Sequence, residues 1–346
     1  MDPFAHFRRA HLGVRRARVG LLPGRSEERR VRPRRVLAEI CDSQIRKAYD
    51  DACRVSRRRV PKEVVPVSEA YGATIAKRSL ARRLRELRLE TGYTANQVCD
   101  RLNWGRGKVG RFEANNWVRP ELSDIRDLAR IYTDSDLAEL EELAGRARQR
   151  AWWREYSDVF ENEFPGYEGD AREIRVIMPL VLPGLLQTLP YMQALLASGS
   201  RTPEWRERAL RARLRRQQIL ERDDGRAPEL IAVLTEASLL YEWGDAGDRR
   251  AQLRHLLDVG ARSHVELRLL RLSDGLHPGM ATLVNIFRFP GGEPPMVFLE
   301  NDADIQEIDT PGKVEAYDRI FEQIRAAALS PADTARHLEK MIATLE

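Results

Sequence analysis

From Ser79 to Glu90, apolar residues recur at Leu80, Leu84 and Leu87 while arginines fill the other positions, which is the stripe of an amphipathic helix. Gly92 stands where this helix must end. Thr94 is suited to cap a second helix from Ala95 to about Leu102, with Val98, Cys99 and Leu102 turned inward. The turn Asn103-Trp104-Gly105 leads to a third helix, about Arg106 to Ala114, whose inward pair is Val109 and Phe112. Asn103 tolerates the left-handed backbone that a tight turn needs, and two helices joined in this way form a helix-turn-helix. Pro120 and the run Leu122, Ile125, Leu128, Ala129 and Tyr132 predict a fourth helix, and a fifth runs from about Ser135 toward Arg150.

After Trp152-Trp153 the period becomes mixed. Strand-like runs occur at Arg175 to Met178, Leu230 to Leu234, Val265 to Leu270, Leu283 to Phe289 and Met296 to Leu299. Helical runs lie between and after them, at about Thr188 to Ala197, Pro203 to Glu221, Ala246 to Val259 and Lys313 to Ala328. The first, third and fourth of these helices have apolar stripes fit to cover a sheet, which is expected to be mixed or largely antiparallel. The second, with Arg206, Arg208, Arg211, Arg213, Arg215 and Arg216, reads as a solvated or ion-paired face. Ahead of all this, residues 1–35 mix Arg, Gly and Pro without an apolar period, Val36 to Ala52 has the pattern of an amphipathic helix, and Val60 to Val67 reads as a linker. The chain is therefore expected to be multidomain. A largely disordered basic N-terminal arm (1–74) precedes an all-α five-helix helix-turn-helix domain (75–150) and an α+β domain (151–346). The arm is read as an appended tail, or as upstream sequence translated from a start assigned too early, in preference to a working nucleic-acid contact.

Charge sharpens this division. The chain has 346 residues, 58 Lys+Arg and 53 Asp+Glu, a net +5. Residues 1–70 carry 18 basic and 9 acidic groups, residues 77–119 carry 11 and 4, residues 120–150 carry 5 and 8, and residues 151–346 carry 24 and 32. A basic front half on an acidic back half suggests a polyanionic partner for the front. Apolar stretches such as Met178 to Leu182 are far shorter than the roughly 20 residues that span a bilayer. The N-terminus lacks a secretory apolar core, so a cytoplasmic protein without a membrane partner is expected. Cys41, Cys53 and Cys99 form neither a disulfide framework nor a four-cysteine zinc site. No GxSxG or HExxH motif occurs, and Gly105-Arg106-Gly107-Lys108 is no P-loop, because Leu102 and Val109 replace the required glycine and Ser/Thr. His255, His264 and His277 are too irregularly spaced to suggest a metal site. The expectation is thus no enzyme, no metal and no cofactor. Trp152, Trp153, Trp205 and Trp243 are read as packing residues.

The string Leu84 to Pro120, LRELRLETGYTANQVCDRLNWGRGKVGRFEANNWVRP, resembles the xenobiotic-response-element type of helix-turn-helix DNA-binding domain, with Lys108 to Glu113 (KVGRFE) on its third-helix signature. Residues 151–346 resemble the antitoxin-like domain that follows this module in a group of bacterial regulators. The strings that carry this likeness are Trp152-Trp153 with Tyr156, Leu182 to Thr188 (LPGLLQT), Leu214 to Gln217 (LRRQ), Gln252 to Leu257 (QLRHLL), His277-Pro278-Gly279, and Tyr317 with Phe321. The resemblance implies a DNA-binding transcriptional regulator with double-stranded DNA as its partner. It also leaves open a small partner protein encoded nearby and a homodimer. The C-terminal domain is expected to sense a ligand or that small protein, with a ligand pocket near the His277-Pro278-Gly279 loop and the Leu182 to Thr188 segment.

The resemblance and the chemistry of base recognition give Thr94, Asn96, Arg106, Lys108 and Arg111 as the candidate DNA-binding residues. Arginine and lysine address guanine and phosphates, and asparagine addresses adenine. Arg111 is also a candidate for structural pairing with Glu113. Glycine stands at 105, 107 and 110 where relatives usually carry serine, and Ala95 replaces a glutamine that reaches DNA. With Gly107 and Gly110 read as helix interior, each disfavours the third helix by roughly 0.8 to 1 kcal/mol relative to Ala. The alternative reading is an antitoxin-like protein-interaction module with weak or no specific DNA binding.

Overall fold

Helix α1, Ala73–Glu90, faces two ways. Ala76, Leu80, Leu84 and Leu87 point into one hydrophobic core, while Ile75 is buried in another. This computed structural model describes residues 72–345 except 118, 133–135, 224, 278–279, 281–282 and 301–304. The arm expected over 1–74, the helix expected from Val36 to Ala52, and Cys41 and Cys53 therefore lie outside the described residues, apart from 72–74. The sequence reading starts α1 at Ser79, six residues late, because only Ile75 among residues 73–78 is a large apolar residue and its partners are far away in sequence. The cap is equally remote: Asp170 Oδ2 accepts the Ile75 N–H at 3.0 Å, filling one of the orphan donors of the first turn. A Cβ at position 72 would lie 1.7 Å from Asp170 Oδ1, so only glycine permits this approach.

The rest of the first core comes from α2 (Ala95–Arg101), α3 (Lys108–Glu113), α4 (Leu122–Tyr132) and α5 (Leu137–Ala147). They contribute Val98, Cys99, Val109, Phe112, Ile125, Leu128, Leu140 and Ala144.

After a 3₁₀ turn at Trp152–Tyr156 and α6 (Phe164–Asp170), the chain builds a six-stranded sheet. The elements are β1 (Glu173–Met178), α7 (Leu189–Ser198), α8 (Pro203–Gln217), β2 (Glu229–Thr235), α9 (Glu236–Leu240), α10 (Ala246–Gly260), β3 (Val265–Leu270), β4 (Val284–Arg288), β5 (Met296–Glu300), β6 (Ile305–Ile308), α11 (Pro311–Ala327) and α12 (Pro331–Thr344). The strand order is β3-β2-β1-β4-β5-β6. The first three strands run parallel, and β4, β5 and β6 each run antiparallel to the preceding neighbour. Both faces are buried, which is why β2 reads as the unbroken apolar run LIAVL and not as an alternation. Ile174, Val176, Leu230, Ala232, Leu267, Phe287 and Phe298 share one core with residues of α6, α7, α10 and α12. Ile177, Ile231, Val233, Ile286 and Val297 share the other with Val314, Phe321 and Ile324 of α11.

Three helices and one strand escape the sequence reading. The α6 sequence, FPGYEGD, contains proline and two glycines and has little intrinsic helix preference. Tertiary packing holds it, with Phe164 5.2 Å from the rings of Phe287 and Phe298. The others are α12, which Ser330 caps through the Asp333 N–H at 3.1 Å, the five-residue α9 and the four-residue β6. On α8, Arg208 pairs with Asp158 at 2.8 Å and Arg215 with Glu155 at 3.0 Å, as an ion-paired face should. Two of its arginines instead turn inward. Arg216 meets the buried Glu168 at 2.5 Å, and burial lowers the Arg213 guanidinium to a pKa of about 10. The tryptophans pack: Trp153 is buried, Trp152 lies 6.1 Å from both Tyr156 and Phe160, Trp205 Nε1 donates to the Asp158 carbonyl, and Trp243 meets Tyr191 at 4.9 Å.

Polar contacts extend the junction along α1. Lys77 pairs with Glu163 at 3.1 Å, the Arg78 guanidinium donates to the Pro294 carbonyl at 2.7 Å, and Ser79 and Arg82 both bond the nearly buried Glu293. At Asp170, burial outweighs the capping N–H groups and the charge of Arg222, and raises the carboxyl to a pKa of about 6. The folded protein thus holds a proton that the unfolded chain releases near pH 3.8. Stability from this group is present below that value and is lost as the pH rises through about 6, a difference of about 3 kcal/mol. Urea unfolding of Asp170→Asn, which keeps an acceptor for Ile75 but does not titrate, is expected to lack this part of the decline between pH 4 and 6; parallel curves for the two proteins would contradict it.

Candidate nucleic-acid interface

The helix-turn-helix is fixed by local chemistry at its start. Thr94 Oγ1 accepts the Gln97 N–H at 3.3 Å, and Gln97 Oε1 accepts the Thr94 N–H at 2.8 Å, a reciprocal capping box at the head of α2. The turn begins with Asn103 at φ 52°, and the Trp104 N–H returns to the Cys99 carbonyl at 2.8 Å. It ends at Gly107, whose φ of 84° is left-handed, and α3 starts only at Lys108. Below the turn, Phe112 packs edge-on against Trp117 at 4.4 Å and lies 6.1 Å from Trp104.

The expected DNA-binding residues fall into two groups. Asn96, Arg106 and Arg111 are exposed. The Arg106 side chain is 79% exposed, with Asp100 only at 4.0 Å. The Arg111 guanidinium extends toward Gly107. Thr94 is exposed, but its hydroxyl is used in the cap. Lys108 is engaged in structure: Nζ lies 2.7 Å from Asp124 Oδ1 and 3.9 Å over the Trp104 ring, which ties α3 to α4.

Two local expectations are corrected. Glu113 pairs with Arg88 of α1 and not with Arg111, through two bonds of 2.6 and 2.8 Å, and Arg88 also donates to the Tyr93 carbonyl at 2.7 Å. Both partners are nearly buried, and this two-pronged contact fixes α3 against α1. The sequence hides it because Arg88 is one of several arginines on α1 and nothing local marks which one turns inward. The second correction is Gly107, which is no helix interior residue but the left-handed residue that starts α3. Arg101 also escaped notice; it is exposed at the end of α2, 4.3 Å over the Tyr93 ring, and adds a cation beside the turn.

In the C-terminal half, a cavity of about 160 Å³ is lined by Leu182, Tyr191, Trp243, Gln252, Leu253 and Met341. Gln252 braces the adjoining segment by accepting the Thr188 N–H at 2.7 Å and donating to the Leu186 carbonyl at 2.8 Å. Pro278 and Gly279 of the expected pocket loop lie outside the described residues. His264 Nε2 is 3.2 Å from the Leu220 carbonyl. Among the described residues no three His, Cys, Asp or Glu side chains gather as a metal site, and no helix is long and apolar enough to cross a membrane.

Comparison with known proteins gives two matches. Residues 79–143 match a helix-turn-helix domain, and residues 162–340 match the family described as Domain of unknown function (DUF5753). No curated protein and no solved structure matches the chain.

The two glycines near α3 are expected to respond in opposite ways. An added Cβ at Gly110 meets nothing within 4 Å, so Gly110→Ala should stabilise by up to about 1 kcal/mol. Gly107→Ala places a side chain on the left-handed backbone and should cost about 1 to 2 kcal/mol. Thermal melts of the two variants check both signs, and a stabilised Gly107→Ala would refute the described start of α3.

Proposed function

The chain belongs to the family described as Domain of unknown function (DUF5753), and from that premise, with a helix-turn-helix domain ahead of the family region, we propose that it is a DNA-binding transcriptional regulator. The five helices from Ala73 to Ala147 act as a module of the xenobiotic-response-element type, with α2 and α3 docked in a major groove. The observation that carries this reading is the exposed set Asn96, Arg106 and Arg111 on a capped helix-turn-helix whose segment 77–119 has 11 basic and 4 acidic residues. Thr94 holds the head of α2 against the phosphates. Lys108 supports α3, and reads a base only if it leaves Asp124. The acidic C-terminal domain, antitoxin-like in type, senses a ligand or a small protein partner in the cytoplasm. No reaction is part of this function.

A second reading is favoured by one observation: α3 has only six residues, and its first cation is occupied by Asp124. On that reading the protein is a protein-interaction module with weak or no specific DNA binding.

Selection of bound DNA from a random pool, followed by anisotropy titration, separates the two. A regulator should yield one enriched site, with the logarithm of the affinity falling linearly in log salt as phosphate counterions are released. Arg106→Ala and Arg111→Ala should each weaken binding by about 1 to 3 kcal/mol where the side chain contacts a base. No enriched site would favour the interaction module, and wild-type affinity in both variants would remove Arg106 and Arg111 from the DNA interface.

A further inference from the structure

We propose that the cavity at the N-terminal end of α1 binds a small phosphorylated anion. The cavity, open to solvent, holds about 690 Å³, within the roughly 300 to 1,000 Å³ of small-molecule sites. It opens where the two halves of the protein meet, between Gly72 at the head of α1, Arg146 and Gln149 at the end of α5, Asp170 and Arg172 at the entry to β1, and Arg222 and Arg226 in the segment before β2. Its described lining holds four guanidinium groups and one carboxylate. That is the reverse of the surrounding half, where residues 151–346 carry 24 basic and 32 acidic groups.

The one carboxylate, Asp170, receives the first-turn N–H of α1 and of the four arginines feels the charge of Arg222. Arg146 pairs with Glu142 at 2.5 Å, and Arg222 donates to the Gly169 carbonyl at 2.8 Å, so both heads are held in place. Arg172 is exposed and has no side-chain partner among the described residues. Two held planar forks beside an unpaired one match a group with several charged oxygens, as phosphate and pyrophosphate have. The charge continues beyond the cavity. A neighbouring space of about 200 Å³ shares Gln149 and is lined by Lys77, Arg119, Arg148, Arg150 and Arg154, with Glu163 as the acid among its described residues.

DNA is the other source of such phosphates, and position argues against it. Gly72 is at the opposite end of α1 from Arg88, which anchors α3, a separation of about 24 Å along the helix. The ligand is therefore a small molecule that touches residues of both halves. The site deepens the sensing part of the proposed function, and its test needs no DNA, so failure of either claim leaves the other standing.

Calorimetric titration of the full chain with inorganic pyrophosphate, at constant ionic strength, is the direct test. Wild type is expected to bind at one site, with Arg172→Gln weakening that binding about tenfold or more and Arg172→Lys weakening it less. The melting temperature of unliganded Arg172→Gln should match wild type, since Arg172 supports no other group. Absence of binding at millimolar pyrophosphate, or equal affinity in Arg172→Gln, would overturn the proposal. So would a variant that loses DNA affinity while wild type ignores pyrophosphate, which would assign these arginines to DNA phosphates.

Discussion

The structure turns on α1 belonging to two cores at once. Its first turn puts Ile75 among residues of α6, β1 and the sheet, and its later turns put Leu80, Leu84 and Leu87 among α2 to α5. Burying Ile75 contributes roughly 1.5 to 3 kcal/mol, and this requires α1 to begin where the C-terminal half can receive it. The Asp170 cap, the glycine at 72 and the bonds to Glu163 and Glu293 all serve that placement. Removing the C-terminal half would leave Ile75 and the first-turn N–H groups exposed. The helix-turn-helix core and the sheet core therefore share one helix, α1.

This arrangement gives distant parts of the protein a physical connection. One end of α1 carries Arg88, which grips Glu113 and positions α3, and the other end forms part of the arginine-lined cavity. A ligand in the proposed cavity would touch the N-terminal end of the same helix whose C-terminal end holds α3. Lys108 holds α3 independently of α1, through its bond to Asp124 of α4.

Much of this was legible in the sequence wherever the cause is local. Thr94 as a cap, the left-handed Asn103, the apolar strings of β1 to β5 and the stripes of α7, α10 and α11 are all decided by near neighbours. What was hidden depends on contacts far along the chain. The first turn of α1 is capped by a residue 95 positions away, and α6 is a helix because aromatic rings of β4 and β5 hold a proline- and glycine-rich segment. Charge gave a similar split. The basic front segment was evident, yet the composition did not distinguish Arg88 and Lys108, which hold the fold, from Arg106 and Arg111, which face solvent. The acidic average of residues 151–346 likewise concealed the arginines gathered at the junction.

Differential scanning calorimetry of the full chain tests the shared helix most directly. If α1 makes the two cores interdependent, unfolding is one transition whose calorimetric and van't Hoff enthalpies agree, and Ile75→Ala lowers the whole transition. Two separate transitions, with Ile75→Ala shifting only one of them, would contradict the account.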